Sequence, residues 1–189
     1  MKWIGIDYGS KLAGTTVICY QEHDKLCQIQ SEKKKDADLF ISDFIKKHKP
    51  QEIYLDAPLS LPGAFHGVGE DYFYRECDRE TRAMSPMFLG GLTARAMKLA
   101  ANHKGVVFKE TYPGYFIRTV LGYSEMYSKK SSYTSELHDQ LASDYDIEYK
   151  VAPDNWHQVD AVLCWISGWR HESGQGQLLG QAEEGLIWV

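Results

Sequence analysis

Paired metal-binding cysteines are absent from this sequence. Its four cysteines, Cys19, Cys27, Cys77 and Cys164, lie far apart, and no two of them form a Cys-x-x-Cys pair. This spacing argues against a zinc site. A hairpin would bring Cys19 and Cys27 face to face, but we expect buried, reduced thiols.

Long apolar runs and an excess of positive charge are also missing. No apolar run approaches the ~20 residues that span a membrane, and no charged segment followed by an apolar one opens the chain. We therefore expect a cytoplasmic protein without membrane contact. The net charge is −5, so any contact with nucleic acid must use local basic patches. No internal repeat is visible.

What remains is an ordinary globular composition. The 189 residues are 43% hydrophobic and 25% charged, which is typical of a soluble protein with a full core. We predict a single domain over residues 1–189, with an insertion at about 58–86. The insertion consists of a loop rich in proline and glycine and then a charged helix.

The first predicted strand, from Lys2 to Asp7, ends at a carboxylate and is followed by a glycine turn. Gly5 leaves room for another element to approach the backbone. An ionised Asp7 at the end of a buried strand needs a partner, a hydrogen bond or a metal. The alternative, that Asp7 only caps the following turn, remains open.

Two later strands are built in the same way, 52–57 with Asp56 and 106–110 with Glu110. A helix over 36–48 precedes the first of them and makes it parallel to an earlier strand. We predict an α/β fold whose five-stranded mixed sheet has the order 3-2-1-4-5, with strand 2 antiparallel and helices on both faces. Adjacent strand ends lie about 4.8 Å apart, and carboxylates that close need a cation or a shared proton. Mg²⁺ or Mn²⁺ suits such oxygen ligands best.

The predicted last helix, 155–170, adds a fourth acid. Asp160 lies at the margin of its apolar stripe, and His157, three residues earlier, can hydrogen-bond a metal-ligating carboxylate. An acid near a helix start is also explained as a partner of the helix dipole. Both interpretations remain open at this point.

Basic residues for binding phosphates lie in two stretches. Arg75, Arg79 and Arg82 recur at helical spacing in the predicted insertion helix, and Lys129 follows in a stretch rich in serine, tyrosine and lysine. A phosphate-binding face explains the arginines about as well as a solvated face of internal ion pairs.

Five short stretches resemble the family catalogued as domain of unknown function 429, described as predicted nucleases of ribonuclease H-like fold. These stretches are Gly5-Ile6-Asp7, Asp56-Ala57-Pro58-Leu59, Arg75-Glu76-Cys77-Asp78, Glu110-Thr111-Tyr112-Pro113 and Asp160-Ala161. The resemblance implies a ribonuclease H-like domain whose strand-ending and last-helix acids are Asp7, Asp56 and Asp160.

The predicted chemistry is metal-dependent hydrolysis of nucleic acid. Asp7 would bridge two ions, Asp56 and Asp160 would complete one each, and Glu110 would serve as a further ligand or a general base. Phosphates would meet Arg75, Arg79 or Lys129. One alternative is a non-catalytic module that binds a ligand or partner in the same cleft. Another is a nucleotide-binding ATPase, because the stretch from Gly5 to Ser10 also resembles the first phosphate loop of actin-like ATPases.

Overall fold

A single mixed sheet forms the centre of the protein. The computed structural model describes residues 1–127 and 135–189. In that part of the chain the sheet has eight strands: β1 (Trp3–Asp7), β2 (Val17–Glu22), β3 (Lys25–Gln30), β4 (Glu52–Asp56), β5 (Val107–Glu110), β6 (Glu148–Tyr149), β7 (Leu178–Gln181) and β8 (Gly185–Trp188). Their order across the sheet is β6-β3-β2-β1-β4-β5-β8-β7.

Seven α-helices accompany the sheet in the described ranges. They are α1 (Ala37–His48), α2 (Glu76–Thr81), α3 (Pro86–Leu89), α4 (Gly91–Asn102), α5 (Pro113–Tyr115), α6 (Glu136–Tyr145) and α7 (Trp156–Glu172). A short 3₁₀ turn covers Gly63–His66, and a π-helical turn over Phe116–Val120 continues α5.

The five central strands have the predicted order. β1 is antiparallel to β2 and parallel to β4, and β4 is parallel to β5. The prediction of five strands was wrong, because three short strands extend the sheet at its two edges. β6 pairs with β3, and the β7–β8 hairpin pairs with β5. β7 overlaps the stretch 174–180, whose glycine and glutamine content is typical of a flexible segment. The structure instead pairs it with β8.

Helices cover both faces of the sheet. Ile4 and Ile6 of β1 share one cluster of buried side chains with Ile41 of α1 and Ala96 of α4. On the other face, α7 packs Val159 and its neighbours into a second cluster that includes Val17 of β2. The alternation along β1 therefore decides which helices lie on which face. All four cysteines are buried and free.

The insertion is less helical than predicted. The spacing of apolar and charged residues predicts helices over 72–84 and 88–102, but the first is only the six residues of α2, and Gly90 (φ 40°) separates α3 from α4. Ser85 caps α3 and Pro86 occupies its first turn, so α3 begins before residue 88. The helical spacing places Phe88 on the apolar stripe of the second predicted helix, but its side chain is 62% exposed.

The apolar residues 186–189 pack onto the domain, and Ile187 and Val189 are buried. No helix in the described ranges combines the length and the apolar character needed to cross a membrane.

Candidate metal centre

Strand register places two carboxylates side by side. Asp7 ends β1, Asp56 ends β4, and the two residues are direct partners in the parallel pairing of these strands. Because parallel strands end at the same edge of a sheet, both side chains belong to the carboxyl edge, where open α/β sheets bind ligands.

A close contact between β1 and α7 brings the third carboxylate to this edge. A Cβ atom on Gly5 would lie 2.2 Å from the backbone nitrogen of Trp165 and 2.5 Å from the carbonyl oxygen of Ala161. Only glycine permits α7 to lie so close to the strand. Asp160, in the second turn of α7, thereby reaches the ends of β1 and β4.

Asp7, Asp56 and Asp160 form what we call the acidic cluster. One carboxylate oxygen from each lies within 4.8 Å of the others. Asp160 is fully buried, Asp7 is 7% exposed and Asp56 is half-buried. Three carboxylates brought together out of water repel one another unless a cation or protons neutralise them. A ligand set made only of carboxylate oxygens fits a hard divalent cation such as Mg²⁺ or Mn²⁺.

Two further side chains hold these carboxylates. The Nδ1 atom of His157 lies 2.8 Å from Oδ2 of Asp7. Where the carboxylate of Asp7 is ionised it accepts this hydrogen bond, and Nδ1 of His157 is then the donor. The hydroxyl of Tyr127 donates to Oδ1 of Asp160 at 2.7 Å. Burial, and then the charge of Asp160, raise the pKa of Tyr127, which keeps the hydroxyl protonated as a donor. Sequence reasoning missed Tyr127, because it lies outside any periodic segment.

Glu110 ends β5 but is not a member of the acidic cluster. Its two carboxylate oxygens accept from the guanidinium of Arg75, each at 2.7 Å, and Oε2 also accepts from the backbone nitrogen of Leu59 at 2.9 Å. Burial raises the pKa of Glu110, while the guanidinium of Arg75 opposes that rise. The carboxylate that we predicted as a ligand or base is engaged in an ion pair.

Arg75 has an environment opposite to the exposed, phosphate-binding one that we predicted. Its side chain is fully buried and also donates to both oxygens of Asp78 and to the hydroxyl of Ser60. The spacing argument placed it on a helix face with Arg79 and Arg82. Arg75 is instead the N-cap of α2, with an extended backbone (φ −83°, ψ 162°), so its side chain does not follow the helical rotation.

Of the other predicted phosphate-binding residues, the structure describes Arg79 and Arg82. Arg79 and Arg82 are exposed. Arg79 forms an ion pair with Asp71, and its guanidinium lies 4.9 Å from the centre of the Tyr74 ring. Lys129 lies outside the described residues.

A pocket of about 250 Å³ opens beside the acidic cluster and shares Asp56 with it. Its walls are mainly apolar and include two tyrosines. The lining residues are Tyr8, Asp56, Ala57, Pro58, Asp78, Ala83, Met84, Leu89, Leu92, Glu110, Thr111, Tyr112 and Ile187. We call it the Asp56 pocket.

Comparison with known proteins gives little beyond this geometry. No family model matches the sequence, so the resemblance to domain of unknown function 429 remains a prediction. No curated protein matches it either. Among solved structures, the chain is similar to RuvC of Thermus thermophilus, with 15% identity and a TM-score of 0.48, over 95% of this chain and 99% of RuvC. We therefore base the proposed function on the geometry of this chain alone.

Proposed function

We propose that this chain is a ribonuclease H-like nuclease that uses Mg²⁺ or Mn²⁺ to hydrolyse phosphodiester bonds in nucleic acid. The observation that carries the proposal is the acidic cluster. Three carboxylates from β1, β4 and α7 meet at the carboxyl edge of the eight-stranded sheet, whose five central strands have the order β3-β2-β1-β4-β5, with oxygens within 4.8 Å of one another. That edge is where open α/β sheets place their ligands.

Asp7, Asp56 and Asp160 would hold the metal. When bound, divalent ions supply a water of lowered pKa and neutralise charge on the leaving oxygen. The chain supplies the orientation: His157 fixes the carboxylate of Asp7, and Tyr127 fixes that of Asp160. Partners of this kind set the direction of the ligand lone pairs and thereby the affinity for metal.

Glu110 and Arg75 receive a positioning role in this proposal. Through Leu59 and Ser60 they hold the segment that follows Asp56. A fixed segment keeps the end of β4 in place, so the pair acts on catalysis only through the position of Asp56. Arg79, Arg82 and Lys129 remain the proposed contacts to substrate phosphates, because Arg79 and Arg82 are exposed cations.

A cleavage screen tests the activity. The purified chain is incubated with single-stranded, duplex and branched DNA and RNA, with Mg²⁺, Mn²⁺ or chelator. We expect cleavage only with a divalent cation, and none with Asp7→Asn, which keeps the shape of the side chain and removes its charge. Phosphate release from ATP that is lost in Asp7→Asn, without cleavage of any polynucleotide, would replace the nuclease with an ATPase.

Thermal unfolding tests the metal site separately. A ligand that binds only the folded state at 100 times its Kd adds about 2.7 kcal/mol of stability. For a chain of this length that is about 5–10 °C in Tm. We expect millimolar Mn²⁺ to raise the Tm of the wild type and to leave that of Asp7→Asn unchanged. Equal Tm values for the wild type with Mn²⁺ and with chelator would contradict the metal site.

A further inference from the structure

The wall of the Asp56 pocket offers few hydrogen-bonding groups to a ligand. The carboxylates of Asp78 and Glu110 in its wall already accept hydrogen bonds from Arg75, and the hydroxyl of Thr111 is within 3.0 Å of that of Ser167. The remaining wall is mainly aliphatic or aromatic. A flat, apolar group therefore fits this pocket better than a charged or sugar-like one.

The position of the pocket limits which group of a substrate can enter it. Asp56 lies in both the acidic cluster and the pocket wall. A phosphodiester held at the cluster has a nucleobase on each side of it, and these bases are the flat groups within reach. A base in a duplex is stacked and paired, and releasing it costs a few kcal/mol. An unpaired base enters without that cost.

Exposed aromatic side chains lie close in sequence to the residues that line the pocket. Leu89 lines the pocket, and its neighbour Phe88 is 62% exposed. The Phe88 ring centre lies 6.3 Å from that of Phe73 and 5.9 Å from that of Tyr74. We call Phe73, Tyr74 and Phe88 the aromatic patch. The Arg79 guanidinium lies over the Tyr74 ring and is also ion-paired with Asp71.

We propose that the Asp56 pocket binds an unpaired nucleobase and that the next base stacks on the aromatic patch. The proposal rests on the proposed nuclease function and specifies its substrate as single-stranded or locally unpaired nucleic acid. Aromatic rings beside basic side chains are the usual platform for single strands, and stacking tolerates any base. Because the buried polar groups of the pocket wall are already engaged, the chain selects for unpaired structure and not for sequence.

Binding measurements test the proposal independently of cleavage. The probe is a fluorescein-labelled single strand of mixed sequence, or the same strand in a duplex, measured by anisotropy at low salt in an Asp7→Asn background. We expect the single strand to bind at least about tenfold more tightly than the duplex. Leu89→Trp, which fills the pocket, and Phe88→Ala, which removes a stacking ring, should each weaken binding of the single strand about fivefold or more.

Leu39 provides matched controls, because it is 61% exposed on α1 and does not line the pocket. Leu39→Trp and Leu39→Ala should bind both probes as the unsubstituted background does. In the otherwise wild-type chain, Phe88→Ala should keep the Mn²⁺-dependent rise in Tm. Should Leu89→Trp fail to fold, the exposed Phe88 still provides the test.

The outcomes separate this proposal from the function on which it rests. Equal affinity for single strand and duplex, or no effect of either variant, overturns the base-binding proposal even if the chain cleaves nucleic acid. Binding that depends on the pocket, without cleavage of any substrate by the wild type, supports base binding and overturns the nuclease. No binding to either probe overturns the base-binding proposal, and together with no cleavage in the screen it overturns both.

Discussion

At the residue scale, two side chains hold carboxylates of the acidic cluster. His157 bonds to Asp7, and its side chain is 43% exposed. Tyr127 bonds to Asp160, which is fully buried. Because a buried carboxylate is shielded from solvent, water does not readily replace a lost donor, so the Tyr127 hydroxyl should matter strongly for its orientation.

We expect Tyr127→Phe to lower the affinity for Mn²⁺ by about 10- to 100-fold, which is typical of losing a hydrogen bond to a metal ligand. The ring remains to fill the same space, so no cavity forms, and the lost hydrogen bond to buried Asp160 should lower the free energy of unfolding in chelator by about 1–3 kcal/mol. Calorimetric titration with Mn²⁺ measures the affinity, and Tyr123→Phe serves as the control, since its hydroxyl bonds to Asp144 outside the cluster. Equal affinity in Tyr127→Phe and the wild type would contradict the role of this hydroxyl.

At the element scale, the contact between β1 and α7 brings together Asp7 on the strand and Asp160 on the helix. The backbone of α7 lies against Gly5 with no room for a side chain. Since Asp7 is on the strand and Asp160 is on the helix, the distance between these carboxylates depends on that contact.

Gly5→Ala should therefore destabilise the protein by about 1–3 kcal/mol or more, as expected when a methyl group is forced into a packed core. It should also weaken Mn²⁺ binding by moving Asp160. Gly91→Ala is the matched control, because Gly91 opens α4 and a Cβ atom added to it would have no neighbouring atom within 4 Å. Chemical unfolding of both variants measures the difference. A Gly5→Ala protein as stable as Gly91→Ala would argue against the close contact.

The buried ion pairs of Arg75 join α2, β5 and the segment after β4. We expect Arg75→Met to destabilise the fold by about 3–5 kcal/mol, because it leaves the carboxylates of Asp78 and Glu110 buried without their cation. Arg79→Met removes an exposed ion pair with Asp71 and should cost little. Thermal and urea unfolding compare the two variants. Equal losses of stability would mean that the buried pairs are not what holds the insertion.

At the scale of the whole molecule, charge opposes the proposed substrate. A net charge of −5 repels polyphosphate, so binding must come from local cations and from stacking. Each phosphate contact to a single strand contributes about −0.7 to the slope of log K against log salt concentration.

Arg82→Ala should make that slope less negative by about 0.7, the contribution of one phosphate contact. It should weaken binding of all sequences equally. Lys46→Ala is the control, because Lys46 is an exposed cation on α1 and pairs with Asp43. Anisotropy titrations of the single-stranded probe over a range of salt concentrations give both slopes. An unchanged slope for Arg82→Ala would remove this residue from the proposed phosphate contacts.

The order and direction of the five central strands followed from the amino-acid sequence. Alternation marked the buried strands, the helix between β3 and β4 required a parallel crossover, and Gly5 indicated a close approach. These are rules about neighbours in the chain or about chain direction. These rules were enough to predict that Asp7 and Asp56 lie at adjacent strand ends.

The partners of the remaining polar side chains depend on contacts between distant segments of the chain. Glu110 and Arg75 lie 35 residues apart and pair with each other, and Tyr127 reaches Asp160 across 33 residues. The added edge strands likewise depend on partners distant in sequence. No period in the sequence encodes such contacts, because each depends on where two separate segments are brought by the packing of all the others. Because Arg75 is buried, its charge requires an ion pair. The sequence alone was equally compatible with an exposed Arg75.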